Sequence, residues 1–170
     1  LAKDLGTETT LDLRYVSRKI IGEHTNHYIG LSLALAGDVD GDGLDDVLIG
    51  APYNVDGGIN AGAAYIVTGR SLAEDAEFRL EDADYRFIGE RVGDFAGYSV
   101  DTLGDVDGDG LDDFIIGAPY EDEQGNEAGA SYVVLGRSLG TNATIDLSEA
   151  DYKIMGEGPA EYSGYSVSGA

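Results

Sequence analysis

The chain repeats itself, and every landmark in it returns after 67 residues. Self-similarity at a fixed period limits the possible folds more than any other feature. The segment IIGEHTNHYIGLS at 20–32 aligns with FIGERVGDFAGYS at 87–99 and with IMGEGPAEYSGYS at 154–166. Upstream, TLDLRYVSRK (10–19) aligns with EFRLEDADYR (77–86) and TIDLSEADYK (144–153). Downstream, GAAYIVTGRSL (62–72) aligns with GASYVVLGRSL (129–139). No insertion disturbs the register. Residues 1–170 therefore read as a single segment, with repeat units at about 20–86 and 87–153, a partial unit at 154–170 and another partial unit before them at 1–19.

Within one period the pattern is that of short strands. GYSVDTLGD (97–105) alternates, DFIIGAP (113–119) and GASYVVLG (129–136) are apolar runs rich in β-branched residues, and DYRFIGE (84–90) supplies a fourth run at period-2 spacing. The 26 glycines and the absence of Trp fit tight turns between strands. No segment sustains a 3.6-residue period, and SLAEDAEF (71–78) is expected to be a loop or a single turn. The fold class is thus all-β, with one small antiparallel sheet of four strands per period. Such a sheet buries little alone and must stack on its own kind, which radially repeated gives a β-propeller.

Charge narrows the chemistry. The chain carries 33 acidic against 10 basic residues, a formal net charge of −23. That balance repels nucleic acid and anionic membranes and attracts cations. With no cysteine there is no disulfide and no thiolate metal site. No apolar run nears the roughly 20 residues of a membrane helix, so direct membrane insertion is not expected. The chain opens LAKDLG, without an initiator Met or a signal-peptide pattern, so any targeting segment is expected to have been removed or to lie elsewhere.

The acidic residues concentrate in DVDGDGLDD, which stands at 38–46 and again at 105–113; 14 of the 16 residues in 38–53 and 105–120 are identical. Carboxylates this dense repel one another without a cation, and calcium takes six to eight oxygen ligands in flexible geometry. The first, third and fifth residues are Asp38, Asp40 and Asp42, then Asp105, Asp107 and Asp109. Gly41 and Gly43 let the backbone wrap around them. Leu44 and Leu111, at the seventh position, offer a carbonyl. A helix–loop–helix calcium loop would close with Glu at position twelve, where Ile49 and Ile116 stand. The ninth residue, Asp46 or Asp113, closes the cage instead, and its neighbour Asp45 or Asp112 points the other way because side chains alternate along a strand. The expectation is a β-hairpin calcium loop, with two Ca2+ per chain.

A hairpin D-x-D-x-D-G-x-x-D followed by an apolar strand and Gly-Ala-Pro resembles the FG-GAP repeat of integrin α-subunit propellers and of many bacterial surface and secreted proteins. Gly50-Ala51-Pro52 and Gly117-Ala118-Pro119 are intact. Ile29-Gly30, Ala96-Gly97 and Ser163-Gly164 occupy the Phe-Gly position, each just after an aromatic residue, Tyr28, Phe95 or Tyr162. The resemblance implies one propeller blade per repeat, structural calcium between the first two strands, and an extracellular or cell-surface role in recognition or adhesion. It leaves the protein or glycan ligand unknown. Two calcium hairpins are fewer than the about four to eight blades of a closed propeller, so further repeats or self-association are expected to complete the ring.

Catalysis is not expected. His24 and His27 form H-x-x-H, but Arg91 and Asp94 replace them one period on, and both read as surface histidines. Ser99 and Ser166 lack the glycine of a nucleophile elbow. No carboxylate pair outside the loops repeats or stands in an apolar setting. The alternative is the non-catalytic propeller portion of a secreted hydrolase. Tyr53, Tyr65, Tyr120 and Tyr132 are assigned to packing on strands. The loops 54–61 and 121–128 vary most between copies, and Asn142-Ala143-Thr144 is a glycosylation sequon.

Overall fold

The computed structural model describes residues 18–74 and 76–169, so nearly all of the expected first partial unit, 1–17, lies outside the described residues. The described chain is almost entirely strand and turn. Its strands are β1 (Lys19–Ile21), β2 (Leu33–Gly37), β3 (Asp46–Ala51), β4 (Ala63–Val67), β5 (Glu77–Arg79), β6 (Tyr85–Ile88), β7 (Ser99–Gly104), β8 (Asp113–Ala118), β9 (Ala130–Val134), β10 (Thr144–Asp146) and β11 (Tyr152–Met155). Strands β2, β3, β4 and β6 form one antiparallel sheet, and β7, β8, β9 and β11 form the next. Pairing repeats with the sequence period: Ile49 faces Tyr65, and Ile116 faces Tyr132. A period has no phase of its own. The sheets supply one, running from β2 to β6 and from β7 to β11, so that residues 86 and 87 both fall inside β6.

Two parallel pairings tie neighbouring units together. β10 lies along β6, with Ile145 opposite Phe87, and β5 lies along β1, with Phe78 opposite Ile20. Each unit thus lends a three-residue strand to the outer edge of the unit before it. Within the stretch 71–78, residues 71–74 belong to a six-residue helix, α1 (Gly69–Glu74), and residues 77–78 to the start of β5. The helix is somewhat more than the single turn expected.

The main core lies between the two sheets. Leu48, Ile66 and Phe87 of the first meet Phe114, Ile116, Tyr132 and Val134 of the second. Phe87 and Phe114 pack edge to face, with ring centroids 5.2 Å apart. Each ring is fully buried, which stabilises the stack by about 1.5–3 kcal/mol per side chain. The opposite face of the first sheet buries Ile49, Tyr65 and Val67 with Phe78 and Leu80, and Ile20 packs against them. Burial follows the stacking: Val39 is 0% exposed beneath the second sheet, whereas its equivalent Val106 is 58% exposed.

The glycines of the Gly-Ala-Pro segments, near the ends of β3 and β8, let the units approach. A Cβ on Gly50 would lie 2.0 Å from the carbonyl oxygen of Gly97, and one on Gly117 would lie 2.0 Å from that of Gly164. Gly97 and Gly164 close the aromatic-x-Gly turns, in which Phe95 and Tyr162 hold positive φ of 55° and 54°. Ser32 and Ser99 donate to the same two carbonyls at 2.9 and 2.8 Å. One turn of each unit is therefore seated on the glycine of the unit before.

Candidate metal centres in the two aspartate loops

Each DVDGDGLDD segment joins the first two strands of its sheet as a tight loop. Gly41 and Gly43 adopt φ of 78° and 85°, a region that side chains resist. The wrap turns backbone N–H groups inward. Asp38 accepts from Gly41 and Asp42 through Oδ1 and from Gly43 through Oδ2, at 2.8–3.0 Å. Asp40 accepts from Asp42, and Asp42 accepts from Leu44. The second loop reproduces the pattern, with Asp105 accepting from Gly108, Asp109 and Gly110. As a result Asp38, Asp40 and Asp42 each bring a carboxylate oxygen within 4.8 Å of the others, and Asp105, Asp107 and Asp109 do the same.

The ninth residue is arranged differently. Asp46 is fully buried, and its carboxylate lies outside that triad. Its Oδ2 accepts from Val39 N–H at 2.9 Å and its Oδ1 from Gly69 N–H at 2.8 Å. Asp113 accepts in the same way from Val106 and Gly136. Burial pushes the Asp46 carboxyl up to about 6, against the lowering by its two N–H donors and with a further push from Asp40 and Asp38. Each oxygen keeps a second lone pair. The eighth residue turns away from its own loop. Asp112 reaches the first loop, where its Oδ2 accepts from Asp38 N–H at 2.8 Å while its own N–H donates to the Asp38 carbonyl at 3.0 Å. The seventh residue, Leu44, has a half-exposed side chain, and Leu111 lies against Gly41 of the first loop.

A divalent ion fits these loops by donor chemistry. Every converging atom is a carboxylate oxygen, the ligand type a hard cation selects. Asp42 Oδ2 is buried without a hydrogen bond, and the positive charge beside it is the Arg70 guanidinium, with Nε 3.2 Å away.

Three expectations outside the loops need correction. His27 is buried, 6% exposed, and packs edge-on against His24, so only His24 is a surface histidine. Tyr53 and Tyr120 lie in turns beyond the strands and join a row of rings, Tyr28–Tyr53–Phe95–Tyr120–Tyr162, with centroids 4.6–5.6 Å apart; Tyr65 and Tyr132 are core residues. A carboxylate pair does stand in a buried setting. Asp94 and Glu121 are 2% and 0% exposed, and burial together with Glu121 pushes Asp94 up to about 7. The period hid this pair, because His27 and Asn54 occupy the equivalent positions. Lys153 neutralises part of it, reaching Glu121 at 3.2 Å, Glu90 at 3.1 Å and Glu123 at 2.8 Å. Arg86 plays the same part in the first sheet, between Glu23 and Asp56.

The FG-GAP repeat family matches residues 30–67 and 96–134. Both spans run from the aromatic-x-Gly turn, through the aspartate loop, to the end of the third strand. The chain is built of FG-GAP repeats. Its two complete four-stranded sheets are accordingly β-propeller blades. Similar curated proteins are integrin α subunits. Integrin alpha-PS2 of Drosophila melanogaster is 36% identical over 156 residues, 88% of this chain and 11% of the relative. Integrin alpha-4 of Xenopus laevis is 34% identical over 123 residues, 70% of this chain and 11% of the relative. Integrin alpha-V of Gallus gallus is 30% identical over 119 residues, 70% and 10%. The FG-GAP segment thus spans about a tenth of the length of these relatives.

Proposed function

We propose that this chain is a calcium-stabilised propeller segment that serves as a scaffold for extracellular recognition or adhesion. The observation that carries the reading is the convergence of three carboxylates within 4.8 Å, made twice by the same local fold. Asp38, Asp40, Asp42 and Asp46, with the carbonyl of Leu44, would hold one Ca2+; Asp105, Asp107, Asp109 and Asp113, with the carbonyl of Leu111, would hold the second. The ion supplies positive charge where the loop has concentrated negative charge, and its part is structural. Its effect is to stiffen one end of each blade.

The scaffold is read as non-catalytic. Asp94 and Glu121, the buried carboxylates that most resemble catalytic groups, are sealed inside the protein. Partner contact is assigned to the loops 54–61 and 121–128. Both are anchored at their ends by buried residues, Asn54 with Ala61 and Glu121 with Ala128, while Ile59 at the tip of the first is 70% exposed. Beside them Tyr53, Phe95, Tyr98, Tyr120 and Glu127 line an open depression suited to a protein or glycan partner. No helix among the described residues is long and apolar enough to cross a membrane. We assign the segment to a cell-surface or secreted protein, with further repeats or other chains completing the propeller around the units 20–86 and 87–153.

Calcium titration by calorimetry in chelator-treated buffer tests the reading. Two ions per chain are expected, and Asp42→Ala should leave one. An unchanged stoichiometry in that variant would overturn the ligand assignment.

A further inference from the structure

We propose that Arg70 and Arg137 are resident counter-ions of the two aspartate loops, holding a free carboxylate oxygen when no cation is bound and weakening the uptake of one. The inference rests on the calcium reading above and concerns what regulates that same site.

The two arginines stand one period apart in the repeated spelling GRSL. The glycine before each is fixed to its loop. Gly69 donates its N–H to Asp46 at 2.8 Å, and Gly136 donates to Asp113 at 2.9 Å. The fit is too close for any other residue: a Cβ on Gly69 would lie 2.7 Å from both the Asp45 carbonyl oxygen and Leu44 Cβ. At Gly136 the same atoms of Asp112 and Leu111 would lie at 2.7 and 2.8 Å. The turn is therefore seated on the seventh and eighth residues of the loop, and the next side chain is delivered to its acidic face.

Each guanidinium reaches an oxygen that the loop backbone does not use. Asp42 gives Oδ1 to Leu44 N–H and leaves Oδ2 buried without a hydrogen bond; Arg70 Nε lies 3.2 Å from that Oδ2. Asp107 gives Oδ1 to Asp109 N–H, and Arg137 Nη1 lies 2.5 Å from its Oδ2. The arginine meets the fifth residue in one loop and the third in the other; Gly69 opens an α-helix and Gly136 a 3-10 turn. Both contacts fall within the carboxylate triads. A cation and a guanidinium cannot share the inner side of one oxygen. The arginine arms are 69% and 53% exposed, so they can swing into solvent when displaced. Exposed pairs of this kind are weak, and releasing one changes an affinity by about two- to five-fold.

The test is calcium calorimetry and thermal unfolding of the whole chain and of its Arg70→Gln, Arg137→Gln double variant, at fixed ionic strength. The variant is expected to bind two ions about two- to five-fold more tightly. It should melt at a lower temperature than the parent in EDTA and at the same temperature in excess calcium. Arg70→Lys with Arg137→Lys should return the affinity toward the parent value, since charge and reach are kept. Unchanged or weaker calcium binding by the glutamine variant overturns the competition, and equal melting in EDTA overturns the counter-ion role. A parent chain that binds no calcium defeats the calcium reading instead, and the EDTA comparison still decides what the arginines do for the loops.

Discussion

Asp46 and Gly69 are 23 residues apart in sequence and joined by a hydrogen bond of 2.8 Å, from the glycine N–H to Oδ1 of the buried carboxylate. The other oxygen takes the N–H of Val39. One side chain thereby fixes the start of the aspartate loop and the turn after the third strand, and Asp113 does the same with Val106 and Gly136.

This anchoring is separable from ion binding. Asp113→Ala leaves two N–H groups without their acceptor, at about 1–3 kcal/mol for each unsatisfied group. Urea unfolding in EDTA should show a loss of about 2–6 kcal/mol. Asp113→Asn keeps one acceptor and should lose roughly half as much. Equal stability of the alanine variant and the parent in chelator would mean that the carboxylate matters only when an ion is present.

Gly117 explains why β8 carries a glycine one residue before its end. Its backbone is ordinary, so the objection to a side chain is one of space: the Gly164 carbonyl and Ser99 Oγ would meet a Cβ at 2.0 and 2.4 Å. Gly117→Ala should destabilise by about 1–3 kcal/mol, the usual range for overpacking, read from the urea midpoint. A neutral result would show that the aromatic-x-Gly turn can move off the blade without penalty.

Asp94 makes stability depend on pH in a direction unusual for a carboxylate. Its ordinary value of 3.8 is pushed up to about 7 by burial and by Glu121, with Glu90 adding to the push and Arg91 opposing it. Between about pH 4 and pH 7 the folded chain keeps a proton that the unfolded chain has released. Stability from this group is therefore complete below about pH 4 and is lost as pH rises toward 7, at up to about 1.4 kcal/mol per pH unit. Asp94→Asn should gain on the parent steadily across that window, measured by melting temperature at constant free calcium. Parallel curves for the two proteins would remove Asp94 as the source.

Much of this could be read from the residues. The 67-residue period, the four strands per unit and the hairpin rather than helical setting of DVDGDGLDD all follow from spacing and alternation, and the sheets carry them out. Alternation also anticipated that Asp112 would turn from its own loop. What escaped reading was whatever depends on a backbone partner or on a three-residue contact. Thr144–Asp146 is too short to display a period, so its parallel pairing with β6 left no trace in the pattern. The N–H of Gly69 has no spelling of its own, so the buried grip on Asp46 could not be foreseen. His27 and Asp94 are equivalent positions with unlike residues, and comparing repeats discards such positions as variable. The burial they share is imposed by the stack, which a single strand cannot report.

The contact between Asp112 and Asp38 has a consequence for any row of such blades. The eighth residue of one loop grips the first residue of the loop before it, by both a carboxylate and a backbone N–H. Neighbouring loops therefore share part of their freedom, and ordering one leaves the next with less to lose. Under the calcium reading proposed above, ions would then be taken up cooperatively along the row, and its loops would harden together.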